Sequence, residues 1–245
     1  MSDQVLILSW REPELREWIP IGRLWQQDNQ YYFCYTQGLK KAQQNNNFSY
    51  LGEMTDAKQT YFSDELFPVF QNRLLAKSRP EYKRYLDWIG LDKNLTKLDE
   101  LARTNGIRAT DSLQLFEIPK LNNGKYTTYF FSHGISHLPK SYLDRIEKIK
   151  EGEKLYLMQD IQNKVDRLAL MLRTDDPVEL MGYCPRIYTK DINRLLEANN
   201  NEVNVTVKKV NKKAPLQVKL LCQLEANWPE GFNPFDDEEF KPFKA

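Results

Sequence analysis

Between Glu17 and Gly38 the chain reads EWIPIGRLWQQDNQYYFCYTQG. Apolar and aromatic residues alternate loosely with polar ones and break at Asp28-Asn29, a pattern that predicts two strands joined by a hairpin. The polar KKAQQNNNFSYLGEM that follows predicts a loop, with an Asn run at 45–47. The spacing then changes to that of helices. SDELFPVFQNRLLA predicts one with Ser63 as N-cap and acidic residues in the first turn. SRPEYKRYLDWIG predicts a second, with Pro80 in the first turn, Gly90 as stop, and Tyr82, Tyr85, Leu86 and Ile89 on one face. TKLDELARTNG predicts a third, in which Thr96 and Asp99 approximate a capping box.

After Gly106 the period shortens again. DSLQLFEIP, YTTYFFSHGI, EKLYLMQD, RLALMLRT, VELMGYC, VNVTVKKVN and LQVKLLCQLEA predict strands. SYLDRIEKIKEG predicts a short helix capped by Ser141, and TKDINRLLEA one capped by Thr189. LNNGK (121–125) is the strongest turn signal and marks the expected boundary. The expected class is α+β: a mixed strand and helix module over 1–120, then a small OB-like, mostly antiparallel β-barrel with two helices over 121–235. An acidic, peripheral tail is expected over 236–245.

Composition changes this picture little. The 245 residues are 41% hydrophobic and 28% charged with formal net charge +1, so no global basic field points to nucleic acid. Charge is uneven: 121–235 holds 17 basic and 14 acidic side chains, while the last ten residues hold 2 and 4. That mild excess suits contact with a few phosphates. Three cysteines (Cys34, Cys184, Cys222) lie among apolar neighbours and read as reduced core thiols, which suits a cytoplasmic protein. The apolar core of the N-terminus, Val5 to Leu8, is too short for a signal peptide, and no run reaches the length of a membrane span.

Catalytic patterns are missing. There is no phosphate-binding P-loop, no dinucleotide glycine fingerprint and no nucleophile elbow. His133 and His137 have the i,i+4 spacing of metal ligands, but Gly134 lies between them and no third ligand stands near in sequence. The expectation is a non-catalytic protein without metal or cofactor.

SHGISHLP, KLYLMQDIQNKVDRLALMLRT and ELMGYCPR together resemble a HIRAN domain. The matching positions are Gly134 and His137; Asp160, Asn163, Asp166 and Ala169; and Gly182, Tyr183, Pro185 and Arg186. The resemblance implies an OB-type barrel that binds single-stranded DNA and grips a 3′-hydroxyl end. It implies that Asp166 accepts from the terminal hydroxyl, that Asn163 holds the neighbouring loop or the sugar, and that Tyr183 and Arg186 meet phosphates. His137 would occupy a base-stacking position, with Gly134 and Arg167 completing the set. A carboxylate accepts from a hydroxyl and repels a phosphate, so such a site favours an unphosphorylated end. The chain departs from the pattern at Val165, where a ring is usual, and at Ser136, where an Arg is usual. By their own chemistry Asn163 and Asp166 serve equally well as turn formers.

IGRLWQQDNQYYFCYTQG, FPVFQNRLL and LDELARTNG with DSLQLFEIP resemble the N-terminal subdomain of HipA-type toxin kinases, with Phe70, Asn72, Leu74 and Leu75 expected in the matching helix. No kinase core follows, so this resemblance implies protein contact or regulation. Two readings stand: recognition of single-stranded or frayed DNA 3′ ends through 121–235, and a regulatory protein-interaction module with a partner bound through 1–120. Neither involves a membrane.

Overall fold

The computed structural model describes residues 4–44, 48–200 and 202–243; the Asn run at 45–47 lies outside them. The chain is α+β and forms two compact units. One comprises residues 1–82, 94–118 and 233–245; the other comprises 83–93 and 119–232. Both are interleaved in sequence, whereas the hydrophobic pattern suggests consecutive blocks.

The first unit is built on a five-stranded antiparallel sheet. Its strands are β1 (Val5–Arg11), β2 (Trp18–Gln27), β3 (Gln30–Tyr35), β4 (Thr60–Ser63) and β5 (Leu113–Glu117), in the order β4-β3-β2-β1-β5. The hairpin at Asp28-Asn29 forms as the sequence implies. Both residues have positive φ (49° and 64°), the conformation that a tight two-residue turn between twisted strands requires. Leu6, Leu8, Ile21, Leu24 and Phe33 bury one face of the sheet together with Phe70, Leu98 and Leu101.

Helix α1 (Gly38–Gln43) occurs where a loop is expected. It starts at Gly38, where a Cβ would lie 2.0 Å from the Pro20 carbonyl oxygen. The helix expected from Ser63 shrinks to α2 (Pro68–Gln71), because Ser63 pairs with Tyr31 in β4 and Pro68 sets the first helical turn. Arg73 then anchors the segment: its buried guanidinium donates to the Val69 and Gly106 carbonyls and pairs with Asp111 at 2.7 Å. Helix α3 (Tyr82–Ile89) buries Leu86 and Ile89 as its period implies. Helix α4 (Lys97–Thr104) carries the full capping box between Thr96 and Asp99.

Residues 233–245 belong to this first unit. Instead of a peripheral acidic tail, Phe235 and Phe240 are buried and stacked 4.8 Å apart. The Phe243 and Gln37 amides donate to the Tyr35 and Lys241 carbonyls. The four acids at 236–239 therefore sit between two apolar anchors, which hold them as charge alone would not.

The second unit holds a seven-stranded antiparallel sheet: β6 (Leu121–Asn122), β7 (Lys125–Phe131), β8 (Lys154–Gln159), β9 (Leu170–Arg173), β10 (Leu180–Tyr183), β11 (Asn204–Val210) and β12 (Leu220–Asn227). Their order is β10-β9-β8-β11-β12-β7-β6. Asn123 and Gly124, both at positive φ, turn β6 into β7. Among the described residues the ladders close no ring, so the sheet pairing by itself does not establish the OB-like barrel expected. One isolated bridge, His133 to Tyr183, ties the chain just past β7 to β10 at the far end of the sheet order. Helices α5 (Lys140–Ile146) and α6 (Arg186–Ala198), with α3 from Lys83 on, also belong to this unit. The N-cap residues of α5 and α6 are Pro139 and Pro185, not Ser141 and Thr189, since proline's fixed φ suits the entry to a helix and its missing N–H costs nothing there.

Candidate nucleic-acid interface

Strands β9 and β10 pair through Leu180↔Arg173, Gly182↔Leu172 and Tyr183↔Met171, which places the two ends of their hairpin side by side. The segment before β9 is not strand, as RLALMLRT suggests, but a closed loop over 160–169. The Asp160 amide donates to the Ala169 carbonyl at 2.9 Å and closes it. Polar side chains hold the interior of the loop. Asn163 Oδ1 accepts from the Val165 and Asp166 amides at 3.0 and 2.9 Å, while its Nδ2 donates to Asp160 Oδ2 at 3.1 Å. Asp166 Oδ1 accepts from the Leu168 amide at 2.9 Å.

Three side-chain contacts fix this loop to the rest of the unit, one of them from Asn193 Nδ2 to the Leu168 carbonyl at 3.2 Å. The Tyr183 hydroxyl donates to Asp160 Oδ2 at 3.0 Å. Thr189 Oγ1 lies 3.1 Å from Asp166 Oδ2 and 2.7 Å from the Arg186 carbonyl, so its single proton is shared between them. Burial, reinforced by the Asp160 carboxylate, pushes the Tyr183 phenol above its ordinary pKa. The phenol is thus held protonated, as a donor.

Both glycines exist for close approach. Gly182 has φ +102°, and a Cβ there would stand 2.1 Å from Ser132 Oγ and 2.5 Å from the His133 carbonyl oxygen. Gly134 has φ +70°, and its Cβ would press the Tyr183 ring at 3.1 Å. Backbone at 132–134 can therefore bond to β10: His133 and Tyr183 exchange two hydrogen bonds of 2.9 Å, and Ser132 Oγ donates to the Met181 carbonyl at 2.6 Å. Burial lowers the His133 imidazole to a pKa of about 4, so it is neutral there.

The expected residues thus fall into two groups. Gly134, Asn163, Asp166, Tyr183 and Arg186 are drawn together through Asp160 and Thr189. His137, on the short turn Ile135–His137, and Arg167, on the loop, are exposed, and among the described residues neither side chain is engaged in a hydrogen bond or ion pair. Asp160 is among the positions that match the family pattern and Thr189 reads as a helix cap, but neither announces in sequence that it ties the loop to β10 and α6. Thr189 carries a signal in retrospect: three residues into a helix that starts at Arg186, its hydroxyl reaches back to the chain. The loop also turns its acids inward and its apolar side chains outward, with Ile161 82% and Val165 53% exposed.

Residues 125–227 match the HIRAN domain. HIRAN domains are in general DNA-binding modules, and the match covers every element of this site. No curated protein matches the chain. Among solved structures, a crystal structure of a protein from Lactobacillus plantarum is similar at 14% identity and a TM-score of 0.35, covering 42% of this chain and 97% of its own, a likeness too slight to argue from. The three cysteines are free and buried, and burial pushes their thiols up, Cys34 to about 11, so none is poised as a nucleophile. Among the described residues no three His, Cys, Asp or Glu side chains gather as metal ligands. Among the same residues no helix is long and apolar enough to cross a membrane.

Proposed function

We propose that the HIRAN segment binds DNA at a single-stranded or frayed 3′-hydroxyl end, on the surface formed by the 160–169 loop and the start of α6. The observation that carries this reading is the fixed Asp166 carboxylate. It uses one bond on each oxygen, to Leu168 and Thr189, and keeps accepting capacity for a further hydroxyl. Arg167, exposed on the same loop, offers a guanidinium for a phosphate, and the HIRAN resemblance gives Arg186 at the start of α6 a phosphate-facing role. Tyr183 and Asn163 serve this site by holding its shape, since the Tyr183 proton and three polar bonds of Asn163 are committed to the loop. The protein acts as a binding module without catalysis, and its site of action is the cytoplasm.

The test is fluorescence anisotropy at one stated low salt concentration, with single strands ending in 3′-hydroxyl or 3′-phosphate. The phosphate should weaken binding by roughly tenfold or more, because it brings anionic charge to a carboxylate. Equal affinities would overturn the reading.

A second reading, a protein partner bound by the first unit, is favoured by one feature. Trp25, Tyr32 and Phe62 stand opposite one another across β2, β3 and β4, with ring centroids 5.4 and 6.4 Å apart. The row ends at Phe62, 67% exposed on the edge strand, where an extended peptide could add a strand and continue it. A peptide selected for binding should lose affinity for Phe62→Ser if this surface is used.

A further inference from the structure

We propose a second nucleic-acid contact on the same unit, formed by α3 and the β11–β12 turn, which takes the sugar-phosphate backbone of a strand whose end is held elsewhere. It rests on the reading of this unit as a DNA binder. Residues 83–93 lie outside the HIRAN match, yet they belong to the unit that contains it.

Two bonds dock the helix on the sheet. Lys209 Nζ pairs with Asp87 Oδ1 at 2.5 Å, and Asn211 Nδ2 donates to the Trp88 carbonyl at 2.7 Å. Asn211 is 4% exposed and spends its other Nδ2 proton on the Val218 carbonyl, also at 2.7 Å. Lys219, 9% exposed, donates to the Lys212 carbonyl at 2.7 Å and pairs with Glu147. The turn is therefore held from beneath by buried polar groups, and Lys212 and Lys213 project from it exposed.

The charge on this surface is one-sided. Residues 83–93 and 207–213 together carry seven cationic side chains and two carboxylates, Asp87 and Asp92, of which Asp87 is neutralised by Lys209. Lys83, Arg84 and Lys208 are exposed. Arg84 is placed as well as charged: its guanidinium lies over the Trp88 ring, 5.0 Å from the centroid, and its N–H groups can donate to a phosphate from there. The chain as a whole is close to neutral, so this concentration of charge is local. Phosphates spaced along a strand are the complementary partner, and each one neutralised adds to the salt dependence of binding, by about 0.7 in log–log slope for a single strand.

The experiment compares the full-length protein with a Lys83→Gln, Arg84→Gln, Lys212→Gln, Lys213→Gln variant. Anisotropy is read across a salt series with 3′-hydroxyl strands of about five and about twenty nucleotides, sizes below and above a typical single-strand footprint. The variant should lose roughly tenfold or more for the longer strand, with a slope shallower by up to about three for four lost contacts, and bind the short strand as before. All four side chains are exposed, so its melting curve should match the parent's. Unchanged binding of the long strand would overturn the proposal, and so would equal losses for both lengths. Competition by poly-glutamate as strong as by DNA would overturn it too, since the surface would then be a general anion binder. If 3′-phosphate and 3′-hydroxyl strands bind alike while the length and slope effects persist, end recognition fails and this contact stands.

Discussion

The Tyr183 hydroxyl, at the end of β10, donates to Asp160 Oδ2 on the far side of the 160–169 loop. That bond and the Thr189–Asp166 contact join the polar residues at the two ends of the β9–β10 hairpin into one surface. Tyr183→Phe removes the bond and keeps the ring. The expected cost is about 1.5 kcal/mol in urea denaturation, the low end for a bond to a charged acceptor because the site is partly exposed. DNA affinity should fall several-fold, up to about tenfold, as the loop loosens. Unchanged affinity with lowered stability would separate the bond from the site.

Gly182→Ala and Gly134→Ala should rank in that order. The first places a methyl 2.1 Å from Ser132 Oγ at φ +102°, with backbone on one side of the clash. It should cost about 3 kcal/mol or more. The second meets only the edge of the Tyr183 ring at 3.1 Å and should cost about 1–2 kcal/mol. Chemical denaturation of the two variants checks the order.

Acid should destabilise the protein partly through His133. Its imidazole titrates at about 4 in the folded protein, against 6.5 for the free side chain. The unfolded chain therefore binds a proton that the native state refuses. Stability contributed by neutral His133 is fully present above about pH 6.5, falls as pH is lowered towards 4, and changes no further below that. The slope from this residue is at most about 1.4 kcal/mol per pH unit. His133→Gln should flatten the profile between pH 6.5 and 5, where carboxylates remain ionised.

Thr96→Ala tests the first unit by itself. It removes the hydroxyl that accepts from the Asp99 amide at 3.1 Å and should cost about 1 kcal/mol. DNA binding at moderate temperature should not change. A parallel loss of affinity would tie the site to α4.

Local chemistry made much of this readable in sequence. Asp28-Asn29 and Asn123-Gly124 announce hairpins because their residue types tolerate positive φ, and Thr96 with Asp99 announces a helix start because the two caps are reciprocal. The glycines and polar residues at Gly134, Asn163, Asp166 and Gly182 mark the site. What could not be read depends on distant partners. Nothing local to Asp87 or Trp88 signals that Lys209 and Asn211 hold them. The alternation of Phe235 and Phe240 with acids reads as a solvated tail until the first unit supplies a surface to bury them. Thr189 resembles a helix cap because the true entry, Pro185, lies four residues earlier and Asp166 lies 23 positions away.

The most direct test of the central claim is an amide NMR titration of the full-length protein with a short 3′-hydroxyl single strand. Binding at the HIRAN site predicts the largest shifts at residues 163–168 and 183–190, with no change at Phe62. Shifts centred on Trp25, Tyr32 and Phe62, or none in the 160–169 loop at saturating strand, would contradict it.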